Sequence, residues 1–243
     1  MKRLLIASIV LLVSACGGGN NNGSPGAAPA AAPTPPPEPE PVNAMFSVTT
    51  TNLTVAQPLS PLAAILHDDA QGAFVIGEPA SPGLEVLAEG GDNSELLAEF
   101  EGAAEVSGEA PLGPGASETL ELDVGSDDTS GLRLTLMSML VNTNDAITGL
   151  NGLDVSGMEV GDSVTVSVIA YDSGTEANTE AAGTIPGPAD GGEGFNAARD
   201  DIGDQVTQHP GVVTADDGLS DSTLNQSHRW DNPVARITVS RTQ

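Results

Sequence analysis

Ser163-Val-Thr-Val-Ser-Val168 changes from polar to apolar at every step, and Ala235-Arg-Ile-Thr-Val239 does the same near the end of the chain. A period of two sends successive side chains to opposite faces, the pattern of a strand with one face in a core and the other in water. Phe46-Ser-Val-Thr-Thr-Thr-Asn-Leu53 adds a β-branched stretch. In Leu132-Arg-Leu-Thr-Leu136 the leucines share a face, and Met137, Met139 and Val141 continue on the other. Gly, Asp, Asn and Pro turns separate these runs, so the fold class is all-β: an antiparallel β-sandwich with long loops and one or two short helices. One helix is expected from Pro82 to Ala88, where Ser81 can cap and Pro82 fits the first turn. Weak periodicity from Thr184 to Gln226 predicts long loops, with one short helix around Gly194 to Val206.

The chain starts differently. Lys2 and Arg3 precede an apolar run from Leu4 to Val13 that ends in small residues before Cys16, which reads as an export signal over residues 1–15. The run is shorter than the roughly 20 apolar residues that span a bilayer. Val13-Ser-Ala-Cys16 resembles the lipobox of bacterial lipoproteins. That resemblance implies cleavage before Cys16 and acylation of it, which anchors the chain in a lipid bilayer, since each buried CH₂ contributes about 0.8 kcal/mol. An ordinary secretory signal with a chance cysteine is the alternative. Gly17, where an inner-membrane retention signal often has Asp, implies the outer membrane or cell surface. Residues 16–43 are rich in Pro, Ala and Gly without apolar periodicity, a linker that lifts the domain at 44–243 off the membrane. A Pro-rich ligand for a recognition module is the other reading of that segment.

Cys16 is the only cysteine, so disulfides are excluded and the domain must be held by its core. The formal charge is −27, with 34 carboxylates and, beyond the export signal, five arginines and no lysine. Nucleic acid is excluded as a partner on this balance, whereas cations are favoured. Adaptation to a saline habitat accounts for the bulk of such a charge.

Enzyme chemistry finds no support. His67, His209 and His228 have no zinc-binding spacing, so a zinc site would have to be assembled by the fold alone. There is no Gly-x-Ser-x-Gly elbow, and Gly90-Gly91 and Gly191-Gly-Glu-Gly194 lack the context of a phosphate loop. The acidic clusters at Asp123 to Asp128 and Asp216 to Asp221 do not match the helix-loop-helix calcium signature and read as surface. Large amphipathic aromatics are few: Trp230 reads as core or core edge, and Tyr171 as packing that holds its own loop.

Three segments resemble the spondin domain in order and spacing. Ala80-Ser-Pro-Gly-Leu-Glu-Val-Leu-Ala-Glu-Gly-Gly-Asp-Asn-Ser94 is similar to that family's "AS-G-L---AE-GD-S" signature. Ser138-Met-Leu-Val-Asn-Thr-Asn-Asp-Ala-Ile-Thr-Gly-Leu150 is similar to its "S-M-VPSPDW--GL" segment, and Val168-Ile-Ala-Tyr-Asp-Ser-Gly-Thr-Glu176 to its "--PWDAGT-" segment. Asn-Thr-Asn stands where the family has Pro-Ser-Pro, Ala146 and Tyr171 replace tryptophans, and the animal cysteines are absent. The resemblance implies a C2-like sandwich in extracellular binding or adhesion, with an extracellular protein or glycan as partner and calcium as cofactor. It places the calcium ligands on Asp145, Asp172 and Glu176, the last replacing an Asp, with backbone carbonyls and Asn144 available to complete the shell. Hard oxygen donors in a flexible loop suit that ion. The residues themselves leave other readings open: Asp145 as a turn residue, and Asp172 and Glu176 as solvated loop acids. The geometry carries a condition: the strands that end at Val141 and Ala170 must point the same way for their loops to meet. The chain from Leu150 to Val160 would supply the return strand. A purely structural envelope protein and a hydrolase with an unrecognised site are the competing functions.

Overall fold

The computed structural model describes residues 42–68, 72–199 and 203–243. The export signal at 1–15, Cys16 and the linker as far as residue 41 lie outside the described residues. Residues 40–243 make one compact unit, and the three hydrophobic cores are drawn from within it. No helix among the described residues is long and apolar enough to cross a membrane.

Among the described residues, ten strands form two antiparallel sheets. β1 (Met45–Asn52), β4 (Ser117–Asp123), β7 (Ser163–Val168) and β10 (Ala235–Arg241) make the first, in the order β4-β1-β10-β7. β2 (Ala63–His67), β3 (Ala104–Ser107), β5 (Arg133–Met139), β6 (Ala146–Asp154), β8 (Ala170–Asp172) and β9 (Thr207–Gln208) make the second, in the order β3-β2-β5-β6-β8-β9. Between them lies the main core, where Phe46, Val48 and Ile237 of the first sheet meet Leu66, Leu134 and Leu136 of the second. Truncating any of these leucines to alanine costs about 2–5 kcal/mol, because the site collapses only partly.

The first sheet keeps its period of two because its outer face is in water: β1 alternates half-buried and buried along its whole length. That outer face is a hydroxyl surface. Thr119, Thr49, Thr238 and Thr165 stand in register as one row across all four strands. The Thr49–Thr119 and Thr165–Thr238 hydroxyls pair at 2.8 and 3.0 Å.

The second sheet is covered on both sides, which removes the alternation from β2 and most of β5. Helices α1 (Pro82–Gly90) and α2 (Ser94–Ala98) press Leu84, Leu87 and Leu96 onto Ala63, Met137 and Ile147. Ser81 caps α1 as expected: its Oγ accepts the Leu84 N–H at 3.2 Å and donates to Glu99 at 2.5 Å. Gly91, in the left-handed conformation that glycine adopts without strain, ends the helix.

No helix forms over the described residues between Gly194 and Val206. Arg199 is instead drawn inward to Glu89 and Glu176, and Glu89 also accepts the Asn196 N–H. Ile185, Val212 and Leu224 form a small third core under these loops, with half-buried Trp230 packed between it and the main core.

The chain changes sheets at Ile169, between β7 and β8, which carries Asp172 into the second sheet. β5 and β8 both lie antiparallel to β6 and therefore point the same way. Their trailing loops leave from one rim, which meets the geometric condition. The return strand is β6, and it starts at Ala146, immediately after Asp145, earlier than the Leu150 to Val160 stretch.

Candidate metal centre

Loop 140–145 is wound tightly. The Leu140 N–H donates to the Ala146 carbonyl at 2.8 Å, and Thr143 Oγ1 donates to the Leu140 carbonyl while accepting the Ala146 N–H. Buried Gln57 holds Asn142 as a second strand would, accepting its N–H and donating to its carbonyl, both at 3.1 Å. Asn142 Oδ1 accepts the Ala189 N–H, and Asn144 Oδ1 accepts the Glu180 N–H, each at 2.9 Å. Asn144 Nδ2 donates to Glu176 and Thr184 at 3.0 Å. The two asparagines thus tie three loops together. Asn144 is a brace with both amide atoms engaged, its Oδ1 by the one Glu180 N–H.

This turn delivers Asp145 to the rim with its side chain fully buried. Oδ2 accepts Ser173 Oγ at 2.9 Å and the N–H groups of Thr175 and Glu176 at 3.0 and 3.2 Å. Oδ1 has no hydrogen-bond partner. Burial, followed by the charge of Asp172, pushes the carboxyl up from its ordinary 3.8 to about 7 against the pull of those three donors. The donors depend on Gly174, which has φ 73° and where a Cβ would lie 2.5 Å from the Gln205 carbonyl oxygen.

Asp172, at the end of β8, is half-buried. Its Oδ1 accepts the Gly174 N–H at 2.9 Å and its Oδ2 accepts Asn178 Nδ2 at 2.6 Å. A carboxylate has about four lone-pair sites, so both oxygens keep capacity for an ion. Asp145, Asp172 and His209 each present one donor atom within 4.8 Å of the other two. His209, from the segment after β9, escaped the sequence reading because no local spacing links it to either aspartate. Its ring packs on Trp230 at a centroid distance of 5.2 Å, and burial lowers its pKa to about 4 despite Asp172. Nδ1 accepts the Gly211 N–H at 2.9 Å, so the ring proton sits on Nε2 and is donated to Asn178 Oδ1 at 3.2 Å. So bonded, the ring is a donor and not a ligand.

Glu176 is the third residue read as a ligand, and it stands one step further back. Its backbone N–H serves Asp145, while its Oε1 accepts Asn144 Nδ2 and pairs with Arg199 Nε at 3.2 Å. Oε2 is buried without a hydrogen-bond partner. Burial outweighs Arg199 and raises this carboxyl to about 7. Tyr171 packs on Phe74 at a centroid distance of 5.0 Å, which ties its own segment to the 72–80 loop.

A cleft of about 730 Å³ has Asp172 and Glu176 in its wall, with Asn178, Thr179, Gln205 and Thr207 among its other lining residues. The donor set fits a hard cation: Asp145 holds a buried oxygen that no protein donor satisfies, buried polar atoms are rarely left so, and Asp172 beside it keeps lone-pair capacity for the same ion. No protein-family model matches the chain, and no curated protein matches it.

Proposed function

We propose that the chain is a calcium-binding lipoprotein of the cell envelope, with a spondin-type sandwich that serves extracellular binding or adhesion. One observation carries the ion: Asp145 Oδ1 is fully buried, without a partner, beside Asp172. A buried carboxylate in that state costs stability unless it is protonated or meets a cation. The ion would join the loop before β6 to the loop after β8 and fix the rim that meets the partner, an extracellular protein or glycan. Cys16 and the linker would hold that rim away from the outer membrane.

Attachment of cells that display the chain tests this reading. Chelation should release cells carrying the parent chain, and cells carrying Asp145→Ala/Asp172→Ala should attach no better than cells without it. Attachment that ignores both chelation and the substitutions would leave a purely structural envelope role.

The placement of His209 beside the two aspartates favours a second reading, a zinc-type ion held by two carboxylates and an imidazole. It requires the Nε2 proton to leave and the Gly211 contact to break. Zinc that displaces calcium in direct competition, with the effect lost in His209→Gln, would favour it.

A further inference from the structure

The order β4-β1-β10-β7 leaves β7 with one free side among the described residues. Its sequence, Ser-Val-Thr-Val-Ser-Val, contains no charge and no proline, and its register with β10 is unbroken from Ser163 to Val168. Folded proteins blunt such edges with charges, proline, bulges or very short strands, because an open edge templates further pairing. The other edges here follow that rule. β4 carries Glu118, Glu121 and Asp123, β3 carries Glu105, and β9 has two residues. In a chain with 34 carboxylates, β7 is the long edge kept free of them, the other such edge being the two residues of β9.

We infer that β7 is an interaction edge for a second copy of this chain, pairing antiparallel about a two-fold axis at Thr165. Ser163-Val-Thr-Val-Ser167 reads the same in both directions. On that axis Ser163 meets Ser167 of the second copy, Val164 meets its Val166, and Thr165 meets itself. An isologous contact needs this self-complementarity. Val164 is 36% exposed, whereas Val166 packs against the main core. Pairing places each exposed valine beside a half-buried one and continues the apolar layer from one sandwich into the next. On the outer face it extends the Thr119–Thr49–Thr238–Thr165 row across the axis. Two chains of net charge −27 repel elsewhere, and salt screens that repulsion, with a Debye length of about 10 Å at 0.1 M and 3 Å at 1 M. The pair therefore strengthens as salt rises.

Cysteine cross-linking of residues 40–243, a unit that holds its own cores and lacks Cys16, tests the inference. Residues facing each other across an antiparallel pair have Cα atoms about 4.5–5.5 Å apart, within reach of a disulfide. Thr165→Cys should form a disulfide-linked dimer under mild oxidation. Thr119→Cys, the equivalent exposed position on the opposite edge, should stay monomeric. Sedimentation should show a dimer that grows with protein and salt concentration and is lost in Val164→Glu, whose melting temperature checks the fold. A parent that stays monomeric throughout, or a dimer that survives Val164→Glu and leaves Thr165→Cys unlinked, would overturn the inference.

Discussion

The Thr175 N–H donates to Asp145 Oδ2 at 3.0 Å, a bond that stitches the loop after β8 to the residue just before β6. Asp145→Ala removes the acceptor for this donor and two others, and unpaired buried donors cost about 1–3 kcal/mol. The melting temperature should fall even in chelator, by roughly 2–4 °C per kcal/mol for a domain of this size. Asp145→Asn keeps an oxygen for the three donors but no charge for an ion. It should melt at or above the parent in chelator near neutral pH and show no shift with calcium.

The same carboxyl makes stability depend on pH. Its folded value of about 7 lies above its ordinary 3.8, so the folded state binds more protons between the two. The stabilisation is complete below about 4 and is lost as pH rises through about 7. Glu176 acts in the same direction, from 4.5 to about 7. His209, lowered from 6.5 to about 4, acts in the opposite one. Comparing the parent with Asp145→Asn isolates the aspartate: in chelator, the advantage of the variant in urea should grow steadily between about pH 4 and 7. A constant difference would mean that Asp145 is charged throughout.

Gly174→Ala should damage the site more than the fold. A side chain is strained at φ 73° and would strike the Gln205 backbone, a cost on the order of 1–3 kcal/mol. Because Gly174 lies between Ser173 and Thr175, both donors to Asp145, calcium affinity should drop together with stability.

Ser81→Ala supplies the contrast. Loss of the cap on α1 should cost about 1 kcal/mol and leave calcium affinity unchanged, since α1 covers the second sheet and supplies no group to the two aspartates. A change in affinity would tie the helical layer to the site.

Much of the sandwich was legible because its first sheet faces water. β1, β7 and β10 alternate, and α1 announces itself through Ser81 and Pro82. β2, buried from Ala63 to His67, carries no period to read, and β6 is interrupted by Gly149 and Gly152. The expected helix near Gly194 is absent over the described residues, where Arg199 pairs with Glu89 and Glu176 through contacts distant in sequence. At the candidate site, motif likeness brought out Asp145, Asp172 and Glu176, and strand direction explains why their loops meet. His209 and the bracing roles of Asn142 and Asn144 could not be read, since each depends on contacts between loops distant in sequence.

Calorimetric titration of residues 40–243 with calcium, beside Asp145→Ala/Asp172→Ala, tests the ion most directly. Binding to the parent should saturate at one site and raise its melting temperature, by the equivalent of about 2.7 kcal/mol at a hundredfold excess over Kd, and the double variant should show neither effect. Weak, unsaturable uptake that is equal in both proteins would contradict this, and would reduce Asp145 and Asp172 to acids of a charged rim.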